Sequence, residues 1–212
     1  MKLVLVVFAV AVLTVTLPLS AQTPSDITLP APQQEGGMPL MQALKERKST
    51  REYSTKKLSP QVLSNLLWAA FGISRTDGRR TAPSARNFQE TDIYTVMQEG
   101  VYRYDAKENM LKLVAVGDYR KKTGAQAFVA TAPLNLVYVA DYSKMKGSKT
   151  DQELYSSADV GFISQNVYLF CASEGLATVV RGWVNRDECA KVLKLGEKNK
   201  IVLTQTVGYP KE

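Results

Sequence analysis

Ala158-Asp159-Val160-Gly161-Phe162-Ile163-Ser164-Gln165-Asn166-Val167-Tyr168-Leu169-Phe170-Cys171-Ala172-Ser173-Glu174, followed at once by Gly175-Leu176-Ala177-Thr178-Val179-Val180-Arg181-Gly182, is the stretch on which the fold turns. Residues 158–174 are apolar almost all round, which predicts a helix buried in a core or a subunit interface. Gly175 is its natural stop, and Ala177 to Val180 reads as a short strand. Downstream, Asn185 to Leu195 predicts a helix capped by Asn185, with Glu188 at its third position and Gly196 beyond it. Ile201 to Val207 predicts a last strand.

Upstream the pattern changes period. Leu134 to Ala140 reads as a buried strand and 118–130 as an amphipathic helix. Before them, Asp92 to Gln98 alternates, Glu99-Gly100 turns, Val101 to Tyr104 returns and Leu111 to Val116 adds a third strand of a meander. Pro60 to Phe71 predicts a helix with Ser59 as N-cap, Pro60 at its first position and Gly72 as its stop. Leu40, Met41 and Leu44 give 38–47 a short helix, and the Pro-, Gln- and Gly-rich stretch 22–37 reads as an extended linker. Helices mixed with largely antiparallel strands define an α+β domain over 38–212. No glycine-rich strand-to-helix phosphate fingerprint is present, so a doubly wound nucleotide fold is excluded.

Residues 1–21 have a basic start at Lys2, an apolar run from Leu3 to Leu17, a break at Pro18 and the small pair Ser20-Ala21. That is the layout of a signal peptide cleaved near Ala21, and it predicts a periplasmic or extracellular protein. The run is shorter than the ~20 apolar residues of a membrane-spanning helix, so no stable membrane span is expected after cleavage. No twin-arginine pair precedes it, which predicts export as an unfolded chain.

The formal net charge is +7, spread along the chain rather than gathered in a run. A nucleic-acid partner is therefore not expected. The chain contains no histidine, which excludes Ser-His-Asp and Cys-His nucleophiles and every histidine-containing metal site. Cys171 and Cys189 cannot form a zinc site alone; in an oxidising compartment they could pair, while their helical, apolar settings favour two buried free thiols. Either a cofactor carries the chemistry or the protein only binds.

Three segments bear on that choice. Arg47-Lys48-Ser49-Thr50-Arg51-Glu52-Tyr53 packs cations and hydroxyls closely enough to surround a phosphate, although a basic helix end has the same composition. Arg80-Thr81-Ala82-Pro83-Ser84-Ala85-Arg86-Asn87-Phe88-Gln89 is a loop of small residues in which Asn87 offers a donor and an acceptor to a heterocycle edge, or an ordinary surface turn. Gly175 through Gly182 is either a ligand-facing strand or a plain C-cap.

In this order and spacing the three segments resemble the nitroreductase family, over about residues 40 to 211. The family's Arg-Arg-Ser-x-Arg-x-Phe opening stands here as Arg47-Lys48-Ser49-Thr50-Arg51-Glu52-Tyr53. Its Pro-Ser-x-x-Asn-x-Gln segment stands as Pro83, Ser84, Asn87 and Gln89, and its closing Gly-Tyr-Pro as Gly208-Tyr209-Pro210. The resemblance implies a mainly antiparallel sheet flanked by helices, and an intertwined homodimer that binds FMN at its interface. Arg47, Ser49 and Arg51 would hold the phosphate and ribityl chain, beside Lys48. Asn87 would meet the ring's polar edge, and the backbone around Val180, Arg181 and Gly182 would face the ring. Many relatives end in a Lys-x-Arg pair; here only Lys211 stands in. No side chain is expected to be catalytic, because the flavin carries the redox step. Relatives reduce nitroaromatics, quinones or flavins, or oxidise thiazoline and oxazoline rings, and the electron donor would be NAD(P)H or another reductant. An exported flavin-binding protein without turnover and a flavin-free interaction module are the alternative readings.

Overall fold

The computed structural model describes residues 24–211. The signal peptide read at 1–21 lies outside them. Among the described residues, no helix is long and apolar enough to cross a membrane.

Seven strands form one sheet in the order β1-β4-β3-β2-β5-β7-β6, every neighbouring pair antiparallel. They are β1 (Ile27–Thr28), β2 (Thr91–Val96), β3 (Gly100–Asp105), β4 (Met110–Val116), β5 (Leu134–Asp141), β6 (Ala177–Arg181) and β7 (Asn199–Gly208). The helices are α1 (Leu40–Glu46), α2 (Pro60–Phe71), α3 (Lys149–Ser173) and α4 (Arg186–Leu193). This is the expected α+β architecture. The central strand β5 is buried along nearly its whole length because both sheet faces are covered. On one face α2 and α3 bring Leu66, Leu67, Ile163 and Val167 onto Leu134, Leu136 and Tyr138. On the other, α4 sets Cys189 and Leu193 against Val137, Val139 and Ile201. Each such fully buried Leu or Val contributes about 1.5–3 kcal/mol relative to exposure. Cys171 and Cys189 are free and buried on opposite sides of the sheet, so the sheet itself keeps them apart.

α2 has the expected boundaries, with the Ser59 side chain accepting from the Val62 amide. Three expectations change. The linker does not run free: Ile27–Thr28 pairs with β4, Leu29 enters the core, and the carbonyl of Pro30 accepts from Ser64. Composition favoured extension, and the open edge of β4 supplied a partner for it. The helix expected over 118–130 is instead two 3-10 turns, Arg120–Thr123 and Ala127–Ala130, separated by an extended Gly124. A Cβ at Gly124 would collide with the Arg181 guanidinium, so the chain bends round that side chain. Finally, α3 begins at Lys149 rather than near 158, opened by a reciprocal cap between Ser148 and Asp151. Its first turns are polar, and the apolar pattern shows only its second half.

Candidate functional site

β6 is an edge strand, and its free edge is where the separate segments meet. The backbone groups of Thr178 and Val180 point outward there: the Thr178 carbonyl accepts from the Thr50 amide at 2.9 Å, and the Val180 amide donates to the Tyr168 hydroxyl at 3.0 Å. Strand alternation then turns the Arg181 amide toward β7 and the Gly182 amide along the free edge. The Tyr168 hydroxyl also hydrogen-bonds Ser49 Oγ at 2.8 Å, and the Arg47 guanidinium lies 5.2 Å from the Tyr168 ring centre. The opening basic segment is thus fixed to α3 and β6 together.

The chain's end closes the arrangement. Tyr53 bridges to Pro210, the Ser54 amide donates to the Tyr209 carbonyl, and the Tyr53 hydroxyl donates to the Thr50 carbonyl at 2.6 Å. Burial pushes the Tyr53 phenol up, so it remains a proton donor across ordinary pH. The result is a cleft of about 480 Å³ lined by Lys48, Thr50, Tyr168, Leu176, Thr178 and Lys211. Its volume falls in the ~300–1,000 Å³ range of small-molecule sites. Lys48 and Lys211, at opposite ends of the domain in sequence, share that wall with the single carboxylate Glu46, and Arg51 of the same segment is exposed with no ion pair among the described residues. A second opening of about 580 Å³, between residues 33–38, α2 and α3, is lined by Glu35 and Glu174 and by no cation. It is unsuited to a phosphate.

The Pro83–Gln89 loop is a separate construction. Arg86, Asn87 and Gln89 have φ of 51, 55 and 48°, left-handed values that cost non-glycine residues energy and persist only where surroundings enforce them. Here the Ala85 amide donates to Asp159 Oδ2 at 2.8 Å, and the Gln89 amide donates to Ser84 Oγ at 3.0 Å. Gln89 Nε2 donates to Asn87 Oδ1 at 3.1 Å, so the Asn87 side chain is oriented by Gln89. Asp159 is itself buried against Glu90, whose carboxyl is pushed up by burial and by that neighbour.

Within one protomer these two groups of residues do not share a cleft. Their attachment points on α3, Asp159 and Tyr168, are nine residues apart, about 14 Å along a helix rising ~1.5 Å per residue. The Arg181 side chain belongs to neither. It is buried on the far face of the sheet, donating to the Thr123 carbonyl and to Asn135 Oδ1, and burial lowers its pKa to about 10.

Tyr168 and Trp183 went unsingled by sequence reasoning. Tyr168 is half-buried at the hub of the first cleft, and only its hydroxyl on an otherwise apolar helix could have flagged it. Trp183, 71% exposed beside Gly182, carried no periodic signal at all.

The Nitroreductase family matches residues 44–209, and the chain belongs to that family. A Methanocaldococcus jannaschii protein named as a nitroreductase is 31% identical over 169 residues, which span 74% of this chain and 85% of that protein. A crystal structure from Ralstonia eutropha, also named as a nitroreductase, superposes with a TM-score of 0.86 at 43% identity, covering 92% of this chain and 94% of the other. Nitroreductase A of Vibrio parahaemolyticus shares the fold at a TM-score of 0.62 and 22% identity, over 82% of this chain and 68% of its own. The protein is a nitroreductase-like oxidoreductase.

Proposed function

We propose that the protein is an exported, FMN-dependent homodimeric oxidoreductase that moves a hydride between a donor such as NAD(P)H and a small organic acceptor such as a nitroaromatic or quinone. The observation that carries this reading is the convergence of Arg47, Lys48, Ser49 and Lys211 around the free edge of β6, with Arg51 two residues along the same segment. Cations and a hydroxyl beside the outward-facing Gly182 amide suit a phosphorylated ligand whose flat polar part lies along that edge. FMN supplies two-electron hydride chemistry when bound.

The chain's own residues have defined tasks in this reading. Arg47, Lys48, Ser49, Arg51 and Lys211 would hold the phosphate. The Gly182 amide would donate to the ring along the strand edge, and Asn87, held by Gln89, would present donor and acceptor to the ring's polar rim. Ser84, after the exposed Pro83, ties that loop to Asn87 and Gln89, and Val180 is spoken for by Tyr168.

A second copy would complete the site. Leu154, Ala158, Gly161, Phe162 and Gln165 form an exposed stripe along α3, and Leu40, Met41 and Leu44 of α1 are also exposed. A Cβ at Gly161 would meet nothing within 4 Å, so another helix can approach closely there. If two α3 helices cross antiparallel near Gly161, the Tyr168 end of one lies beside the end of the other that carries the Pro83–Gln89 loop. The separation along α3, about 14 Å within a protomer, then falls to about 8 Å between protomers.

Export rests on the pattern of residues 1–21. The protein purified after secretion and reconstituted with FMN should be yellow and dimeric. A colourless protein without FMN affinity overturns the proposal.

A further inference from the structure

Beside the Asn87 loop lies a cleft of about 270 Å³ with an unusual lining: Arg75, Arg79 and Arg80, with Thr81, Ser84 and Asn87, and no carboxylate. The three arginines stand on a built backbone turn. The Gly78 amide donates to the Arg75 carbonyl and the Ser74 amide to the Arg79 carbonyl, and Ile73 pairs with Arg80. Arg80 is the most fixed of them. Its Nε donates to Gln89 Oε1 at 2.8 Å, its Nη1 donates to the Phe71 carbonyl at 3.1 Å, and its plane sits 5.0 Å from the Phe71 ring centre.

A half-buried guanidinium normally takes a carboxylate partner. Arg80 has none among the described residues, nor has Arg75, and Arg79 holds only the exposed Asp77 at 3.3 Å. Burial lowers the Arg80 pKa, against the opposing pull of Tyr104, Asp92 and Asp105. The remaining N–H groups of a planar fork are suited to a bidentate oxyanion. Asn87 itself lines the cleft, and Gln89 links it to Arg80 by accepting from Arg80 through its oxygen and donating to Asn87 through its amide nitrogen.

We propose that Arg75, Arg79 and Arg80 form an oxyanion site that binds the phosphate or carboxylate of the redox substrate and sets its position next to Asn87. This rests on the flavin reading above. It narrows the substrate class to small redox molecules carrying such a group. The anion can belong to the donor or to the acceptor, and the two are separable by experiment.

Arg80 also supports its loop, so Arg75→Gln is tested beside Arg80→Gln. Calorimetry with inorganic pyrophosphate on the full secreted protein, with and without FMN, should show binding that weakens with salt and falls at least ten-fold in either variant. Steady-state kinetics of the FMN-loaded protein should show a ten-fold or greater rise in KM with kcat unchanged. If the rise appears for the nicotinamide donor and not for the acceptor, the donor's phosphate is bound, through the 2′-phosphate where NADPH alone is affected and through the pyrophosphate where NADH is affected equally; if it appears for 4-nitrobenzoate but not nitrobenzene, the acceptor's carboxylate is bound. Equal pyrophosphate binding by wild type and Arg75→Gln overturns the site. A variant that loses FMN affinity instead of substrate affinity also overturns it, since the arginines would then serve the flavin. Pyrophosphate binding that needs Arg75 in a protein that takes up no FMN leaves the oxyanion site standing and removes the flavin reading.

Discussion

The Asp159 carboxylate on α3 accepts the Ala85 amide at 2.8 Å, and so ties the loop that carries Asn87 to the longest helix of the fold. The same carboxyl group faces the fully buried Glu90, whose Oε2 has no donor among the described residues. Burial together with the neighbouring Asp159 raises the Glu90 pKa above its ordinary 4.5, so the buried site favours a protonated carboxyl.

A pH dependence follows with a definite sign. The folded state holds this proton more tightly than the unfolded chain, so the stability it contributes is complete below the ordinary carboxylate range. It is lost as pH rises through the raised value. Glu90→Gln removes the titration and keeps the shape. Thermal melts across the acidic to neutral range should slope less in that variant than in wild type; parallel curves would remove Glu90 as the source.

Reversing the charge at Arg51 tests the phosphate grip. A charge-assisted hydrogen bond contributes about 1.5–3 kcal/mol, so Arg51→Glu should weaken FMN by roughly ten- to a hundred-fold with little change in melting temperature, because the side chain is exposed. Fluorescence titration of FMN measures it.

Tyr168→Phe deletes the hydroxyl shared by Ser49 and the Val180 amide. Stability should fall by about 1–3 kcal/mol as the strand amide loses its partner. FMN affinity should fall with it, since the basic segment is no longer held to β6. Chemical denaturation and the same titration report the two effects.

Phe162→Lys places a charge in the middle of the exposed α3 stripe. It should yield folded monomers by sedimentation with native far-ultraviolet circular dichroism and weakened FMN binding. A dimer that survives the substitution would move the interface elsewhere.

Much of the fold was legible before any coordinates. Alternation located the meander and β5, and the Ser59-Pro60 signal located α2, because those features are written in adjacent residues. The 118–130 segment was not legible. Its amphipathic pattern is real, and Gly124 breaks it only because the Arg181 side chain arrives there from a strand far along the chain. The N-terminal half of α3 was missed for a related reason: a solvated helix face has no apolar period to detect. In the candidate site, the basic and Asn-bearing segments were visible as motifs, whereas Tyr168 was counted as one more apolar position.

By itself the sequence determined the composition of the two motif segments, the exclusion of histidine chemistry, the α+β class and the family resemblance, all properties of local order. Only the tertiary structure decided which residues meet. Lys48 joins Lys211 because the C-terminal residues pair back against Tyr53, and Ser49 joins Val180 because Tyr168 stands between a helix and a strand edge. The Pro83–Gln89 loop stays about 14 Å away because α3 is a rigid rod with a rise of ~1.5 Å per residue. Contacts of this kind depend on sheet order and helix length, quantities that no single stretch of the chain contains.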